Sequence, residues 1–298
     1  MAPIEQIQQG VEVGNFLALA KAISAIENNA DQSTQFLESL RPSSVPIIGI
    51  TGPPGAGKST LIAALIQDWV EAGKRIAVLS VDPSSPFHQG AILGDRIRMR
   101  EWYLHPQVFI RSLASRGHLG GLNSTTIELT TLLQCAGFDI IILETVGVGQ
   151  SEVEVAALAD TTLVVLVPEA GDDIQMMKSG LMEVADIFVV NKSDRPDAGA
   201  FAAHIKQMLL ENHATDTSVV QTIASQKEGM DELVKAIQDH QTKASHQSSK
   251  QRLMLSKTMQ LIVAKKMQQL DYAAIETALA KAMQASSFNI FEFAKQYY

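Results

Sequence analysis

From residue 45 onward the chain alternates short aliphatic runs with longer stretches in which apolar positions recur every three or four residues. The runs are 47–51, 76–81, 108–113, 140–144, 163–167, 187–191 and 219–223. They are apolar on both faces rather than at every second position, the pattern of strands in a parallel sheet covered on both sides. Stretches 58–72, 121–136, 197–212 and 229–240 have the helical period and supply that cover. The pattern predicts an α/β fold, a mostly parallel central sheet flanked by helices, with ligand chemistry at the carboxyl ends of the strands.

Ahead of this alternation, residues 1–44 read as helical, with Val13, Phe16, Leu17, Leu19, Ala20, Ile23 and Ile26 at helical spacing. Behind it, 241–250 is polar and small, a linker, and 251–286 returns to helical spacing. The tail 288–298 concentrates aromatics in a chain with only 5% of them, so it is expected to dock on its own domain or on a second subunit. Three units follow: an N-terminal helical extension (1–44), an α/β domain (45–240), and a linker with a C-terminal helical dimerisation or docking segment (241–298).

Charge narrows the partners. Lys and Arg total 24 against 32 Asp and Glu, and a net charge of −8 argues against a general nucleic-acid binder while leaving room for one local phosphate site. The single cysteine, Cys135, lies in a helical apolar pattern and is expected in the core; alone, it rules out a disulfide framework and a paired-cysteine metal knuckle. The seven histidines show no ligand spacing and read as incidental. With no signal or transit pattern and no run near the ~20 apolar residues of a membrane span, a cytoplasmic protein without a membrane partner is expected.

The chemistry is concentrated just after the strands. Gly52-Pro53-Pro54-Gly55-Ala56-Gly57-Lys58-Ser59, followed by Thr60, fits G-x-x-x-x-G-K-[ST] and stands between a strand and a helix. Glycines let backbone N–H groups curl round phosphates, and the helix N-terminus adds a positive field. Lys58 is placed to reach the β and γ oxygens, and the Ser59 hydroxyl to ligate Mg²⁺. Asn191-Lys192-Ser193-Asp194 closes the sixth run; the Asp194 carboxylate can accept from both N1–H and the 2-amino group of guanine, which adenine cannot offer. Together these motifs indicate GTP and GDP rather than ATP. Glu144 ends the fourth run ahead of Thr145-Val146-Gly147, a place for an acid near Mg²⁺ and for a glycine N–H near the γ-phosphate. Asp82 and Asp95 offer further carboxylates for the metal. Val148 follows Gly147 and cannot orient a water, leaving Gln150 or a partner residue for that task, so slow intrinsic hydrolysis stimulated by a partner is expected.

GPPGAGKST, VDPSSPFHQGAILGDRIRM, FIRSLASRGHLGGL, ILETVGVGQSEVEVA and GDDIQMMKSGLMEVADIFVVNKSD together resemble the MeaB/ArgK family of P-loop GTPases over roughly residues 40–240. The resemblance implies a GTPase that serves an adenosylcobalamin-dependent acyl-CoA mutase of the methylmalonyl-CoA mutase type, gating cofactor loading and protecting or reactivating the mutase. It also implies a homodimer, a GTPase domain at 45–240, and Ser59, Asp82, Asp95 and Glu144 at or near the Mg²⁺ shell. Switches fall at about 82–98, 144–156 and 171–180. The family's guanine-side Thr-Ser-Ala reads Thr222-Ile223-Ala224 here, which leaves the Ala224 N–H to serve the base. A metallochaperone GTPase and a kinase of an arginine/ornithine transport system are the rival readings.

Overall fold

A computed structural model describes residues 4–28, 33–83, 99–115, 124–145, 155–156, 158–168, 182–212, 216–243 and 272–282. Seven strands among them, β1 (Ile47–Thr51), β2 (Ile76–Pro83), β3 (Val108–Ser115), β4 (Ile140–Thr145), β5 (Thr161–Leu166), β6 (Ile187–Asn191) and β7 (Ser218–Thr222), form one sheet in the order β3-β2-β4-β1-β5-β6-β7. Every pairing is parallel. Successive side chains alternate between the two faces, and both are covered. Ile48, Ile50, Val78, Ile142 and Val165 pack under α4 (Lys58–Glu71) and α7 (Met230–Thr242). Ile47, Leu79, Ile141 and Leu143 pack on the other face against α2 (Phe16–Glu27) and α5 (Ser124–Gln134), while Val164, Phe188 and Val190 pack against α6 (Ala198–Glu211). α1 (Ile4–Glu12) and α3 (Ser33–Ser39) precede the sheet, and α8 (Tyr272–Ala282) follows it. No helix among the described residues is long and apolar enough to cross a membrane.

The helical spacing at the N-terminus is divided among three helices. α1 stops at Glu12, and Asn15 starts α2 by accepting hydrogen bonds from the N–H groups of Leu17 and Ala18. Capping chemistry overrides the period here: Leu19, Ile23 and Ile26 enter the core, whereas Val13 and Leu17 are exposed. The segment read as a linker begins late, because α7 continues to Thr242. The aromatic tail lies outside the described residues.

The amino edge of the sheet is set by one repeated device. Asp139, Asp160 and Asp186 each directly precede a strand, and each makes a reciprocal pair of hydrogen bonds with a neighbouring strand. The Asp160 N–H donates to the Ile47 carbonyl at 2.7 Å while its carboxylate accepts the Ile47 N–H at 2.9 Å. Asp139 does the same with Arg75, and Asp186 with Thr162. Each carboxylate supplies a rung where the parallel ladder has run out, giving a partner to a backbone donor that is part-buried at Ile47 and Thr162 and exposed at Arg75. Asp160→Ala is therefore expected to lower stability by about 2 kcal/mol, the usual range for a bond to a charged acceptor. Chemical denaturation checks it, and an unchanged midpoint would count against the rung.

One histidine is not incidental. His240 on α7 bonds to Thr161 Oγ1 through Nδ1 at 2.9 Å and lies 3.2 Å from Asp186 Oδ1 through Nε2, which pins the helix to the edge of β5. Cys135 packs against the core but remains half-buried, and burial pushes its thiol pKa up.

Candidate functional site

The carboxyl ends of β1, β4, β6 and β7 converge on the loop between β1 and α4. That loop needs its glycines. Gly52 has φ 136°, and a Cβ there would lie 2.1 Å from the Val165 carbonyl oxygen. Gly57, at φ 91°, caps α4 in the left-handed region, and a Cβ there would lie 2.4 Å from Asn191 Nδ2. Ala56 is buried, while Pro54 and Gly55 stand exposed at the tip. Buried Lys58 opens α4, and its Nζ donates to the carbonyls of Gly52 and Pro53 at 2.7 and 3.0 Å, holding the ammonium over the loop. The 14-residue α4 points its N-terminus at the same space, so cation and helix dipole favour an anion together. Thr60 follows in the first turn, half-buried.

Ser59 and Glu144, both expected near the metal, meet in a hydrogen bond. Glu144 is 1% exposed, and its Oε1 accepts from Ser59 Oγ at 3.1 Å. Its Oε2 accepts from Ser80 Oγ at 3.2 Å, a residue the sequence analysis passed over. A second hydroxyl pair, Thr145 Oγ1 donating to Thr51 Oγ1 at 2.9 Å, ties the ends of β4 and β1 directly beside the loop. The signal for both was a polar residue interrupting an apolar run, but only register shows that Ser80 stands opposite Glu144.

On the other flank, Asn191 is a brace. Its amide donates to the Ala56 carbonyl at 2.9 Å, and its Oδ1 accepts from Thr222 Oγ1 and from the Ala224 N–H at 3.1 and 3.2 Å. The Ala224 N–H, expected to face a base, is thus donated to a side chain, because a buried amide oxygen needs donors and this is one of the two within reach. Lys192, held at φ 58°, donates to the Gly55 carbonyl at 2.7 Å and so lies along the loop. Asp194 is exposed on a turn fixed by Ser193, whose N–H donates to the Thr222 carbonyl at 3.0 Å and whose hydroxyl donates to the Val190 carbonyl at 2.7 Å.

Asp82 occupies the next-to-last position of β2, in register with Ala114 of β3. Asp95, Gly147 and Gln150 lie outside the described residues, as do most of the three expected switch segments. Among the described residues no group of three His, Cys, Asp or Glu side chains could hold a metal. A hydroxyl and one carboxylate are nevertheless a donor set that suits Mg²⁺, which takes one or two protein oxygens and completes its shell with phosphate and water.

A parallel sheet, a glycine loop closed by Lys58 and Ser59, and a braced Asn191-Lys192-Ser193-Asp194 turn on the same rim define a P-loop GTPase. The chain belongs to the family described as the methylmalonyl-CoA mutase-associated GTPase MeaB, whose model matches residues 19–278. A protein of Pyrococcus horikoshii is 39% identical over 275 residues, spanning 89% of this chain and 87% of its own. GTPase ArgK of Escherichia coli K12 is 39% identical over 252 residues, 80% of this chain and 75% of its own. The mouse methylmalonic aciduria type A homolog, mitochondrial, is 33% identical over 261 residues, 80% of this chain and 63% of its own. The crystal structure of a LAO/AO transport system kinase superposes with a TM-score of 0.67 at 26% identity, covering 99% of this chain and 96% of that one.

Proposed function

We propose that this GTPase is a chaperone of an adenosylcobalamin-dependent acyl-CoA mutase of the methylmalonyl-CoA mutase type. In this reading it gates cofactor loading and protects or reactivates the mutase, working as a cytoplasmic homodimer through the 241–298 segment. The observation that carries the reading is the match over residues 19–278 to a family described by its association with that mutase. The braced base turn supports GTP and GDP as the bound nucleotides. Lys58 and the Gly52–Ser59 backbone would hold the phosphates, and Asp194 would accept the guanine edge. Ser59 and Glu144 would hold Mg²⁺, with Asp82 and Asp95 near its shell; the ion would neutralise charge on the β and γ oxygens. Gly147 would contact the γ-phosphate, and Gln150 or a residue of the mutase would orient the attacking water.

The test is GTP turnover with and without the mutase. The free protein is expected to turn over well below ~1 s⁻¹, since it lacks a glutamine directly after Gly147, and the mutase to raise that rate several-fold. A fast free enzyme, or one indifferent to the mutase, would contradict the chaperone reading. The likeness to a LAO/AO transport system kinase favours one second reading, phosphoryl transfer to arginine or ornithine. Labelled phosphate appearing on either amino acid, instead of as inorganic phosphate, would select it.

A further inference from the structure

We propose that Ser80 is a positioning residue for the metal side of the site, acting through Glu144 on Ser59. The inference rests on the reading of Ser59 and Glu144 as the Mg²⁺-holding pair. Ser80 is only 5% exposed, yet it interrupts the otherwise apolar start of β2 with a hydroxyl. Its place is set by register: β2 pairs with β4 so that Ser80 stands directly opposite Glu144.

The resulting chain of hydrogen bonds has a direction. Ser80 Oγ donates to Glu144 Oε2 at 3.2 Å, and Ser59 Oγ donates to Glu144 Oε1 at 3.1 Å. A glutamate's terminal torsion is broad and soft, so a carboxylate held by one hydrogen bond is free to turn about it. Donors from two separate elements, Ser80 on β2 and Ser59 on α4, both restrict that rotation, and Ser80 is the one that does not face the phosphate loop. With its proton committed to Glu144, the Ser59 oxygen turns its lone pairs away from the carboxylate, where a hard cation can use them. Ser80 thus sets the orientation of Ser59 without touching nucleotide or metal. Partners of this kind typically tune metal affinity by about 10–100-fold.

The experiment is calorimetric titration of the full chain with GDP, in EDTA and across a Mg²⁺ series, for Ser80→Ala, Ser80→Thr and Glu144→Gln. Ser80→Ala is expected to raise the Mg²⁺ concentration that half-maximally tightens GDP binding by about 10-fold. Its GDP affinity in EDTA should match the unsubstituted protein, its nucleotide-free Tm should fall because a buried carboxylate loses one donor, and Ser80→Thr, which keeps the hydroxyl, should restore both the Tm and the Mg²⁺ dependence. If Glu144→Gln shifts that dependence and Ser80→Ala does not, the role of Ser80 is overturned while the metal reading stands. If neither shifts it, the metal reading itself falls, and the role of Ser80 with it. A Ser80→Ala protein that loses Tm and EDTA affinity without a change in Mg²⁺ dependence would assign Ser80 to packing and overturn the inference.

Discussion

Asp194→Asn is expected to lose at least about 100-fold in GTP affinity and to bind xanthosine triphosphate better than GTP. Two hydrogen bonds from N1–H and the 2-amino group of guanine to a charged acceptor are worth roughly 1.5–3 kcal/mol each, and an amide cannot accept both. The same amide can donate to the 2-oxo group of xanthine. Misfolding does not mask the effect, because Asp194 is exposed and the turn beneath it is held by Ser193 and Asn191. Competition of both triphosphates against a fluorescent GDP analogue measures the preference. Unchanged preference for GTP would remove Asp194 from the base pocket.

Gly52→Ala is the second large effect. A methyl group would stand 2.1 Å from the carbonyl oxygen of Val165 and 3.0 Å from its carbonyl carbon. Both atoms belong to β5, a strand buried at every position, so neither yields easily. The φ of 136° adds strain that any side chain would feel. The expected result is a loss of roughly 3 kcal/mol or more in stability, with nucleotide affinity falling at least about a hundredfold as the loop is displaced from Lys58. Gly55→Ala is the control: a Cβ there meets nothing within 4 Å, although φ is 80°, so only the left-handed backbone penalty of about 1–2 kcal/mol applies. Equal losses in the two variants would show that conformation alone, rather than the contact with β5, demands glycine at position 52.

The two effects differ in how legible they were. That Asp194 should face guanine follows from the types and order of four residues. That Gly52 cannot become alanine depends on β5, which lies more than a hundred residues further on and is adjacent only because the sheet order places it beside β1. The same distinction holds for the braces. Asn191 was legible as part of a base-recognition motif, but its bonds to Ala56, Thr222 and Ala224 require the β1–α4 loop and the end of β7 to close on one amide. The aspartates before β4, β5 and β6 were visible as letters, yet each acts on a neighbouring strand that only the parallel register supplies.

What the sequence determined by itself is what local chemistry and period decide. Apolar runs buried on both faces require a covered parallel sheet, and a glycine loop ending in Lys-Ser ahead of a helix makes a phosphate cradle wherever it is folded. Helix breaks yielded less readily, because the side chain of Asn15 captured backbone donors that periodicity would have assigned to a continuous helix. What only the tertiary structure decided is which buried polar groups satisfy one another. Ser80 with Glu144, Thr51 with Thr145, and His240 with Thr161 and Asp186 are far apart in the chain; the first two pairs are buried, where a polar group must find a protein partner in place of water, and the sheet register and the docking of α7 bring each partner within reach.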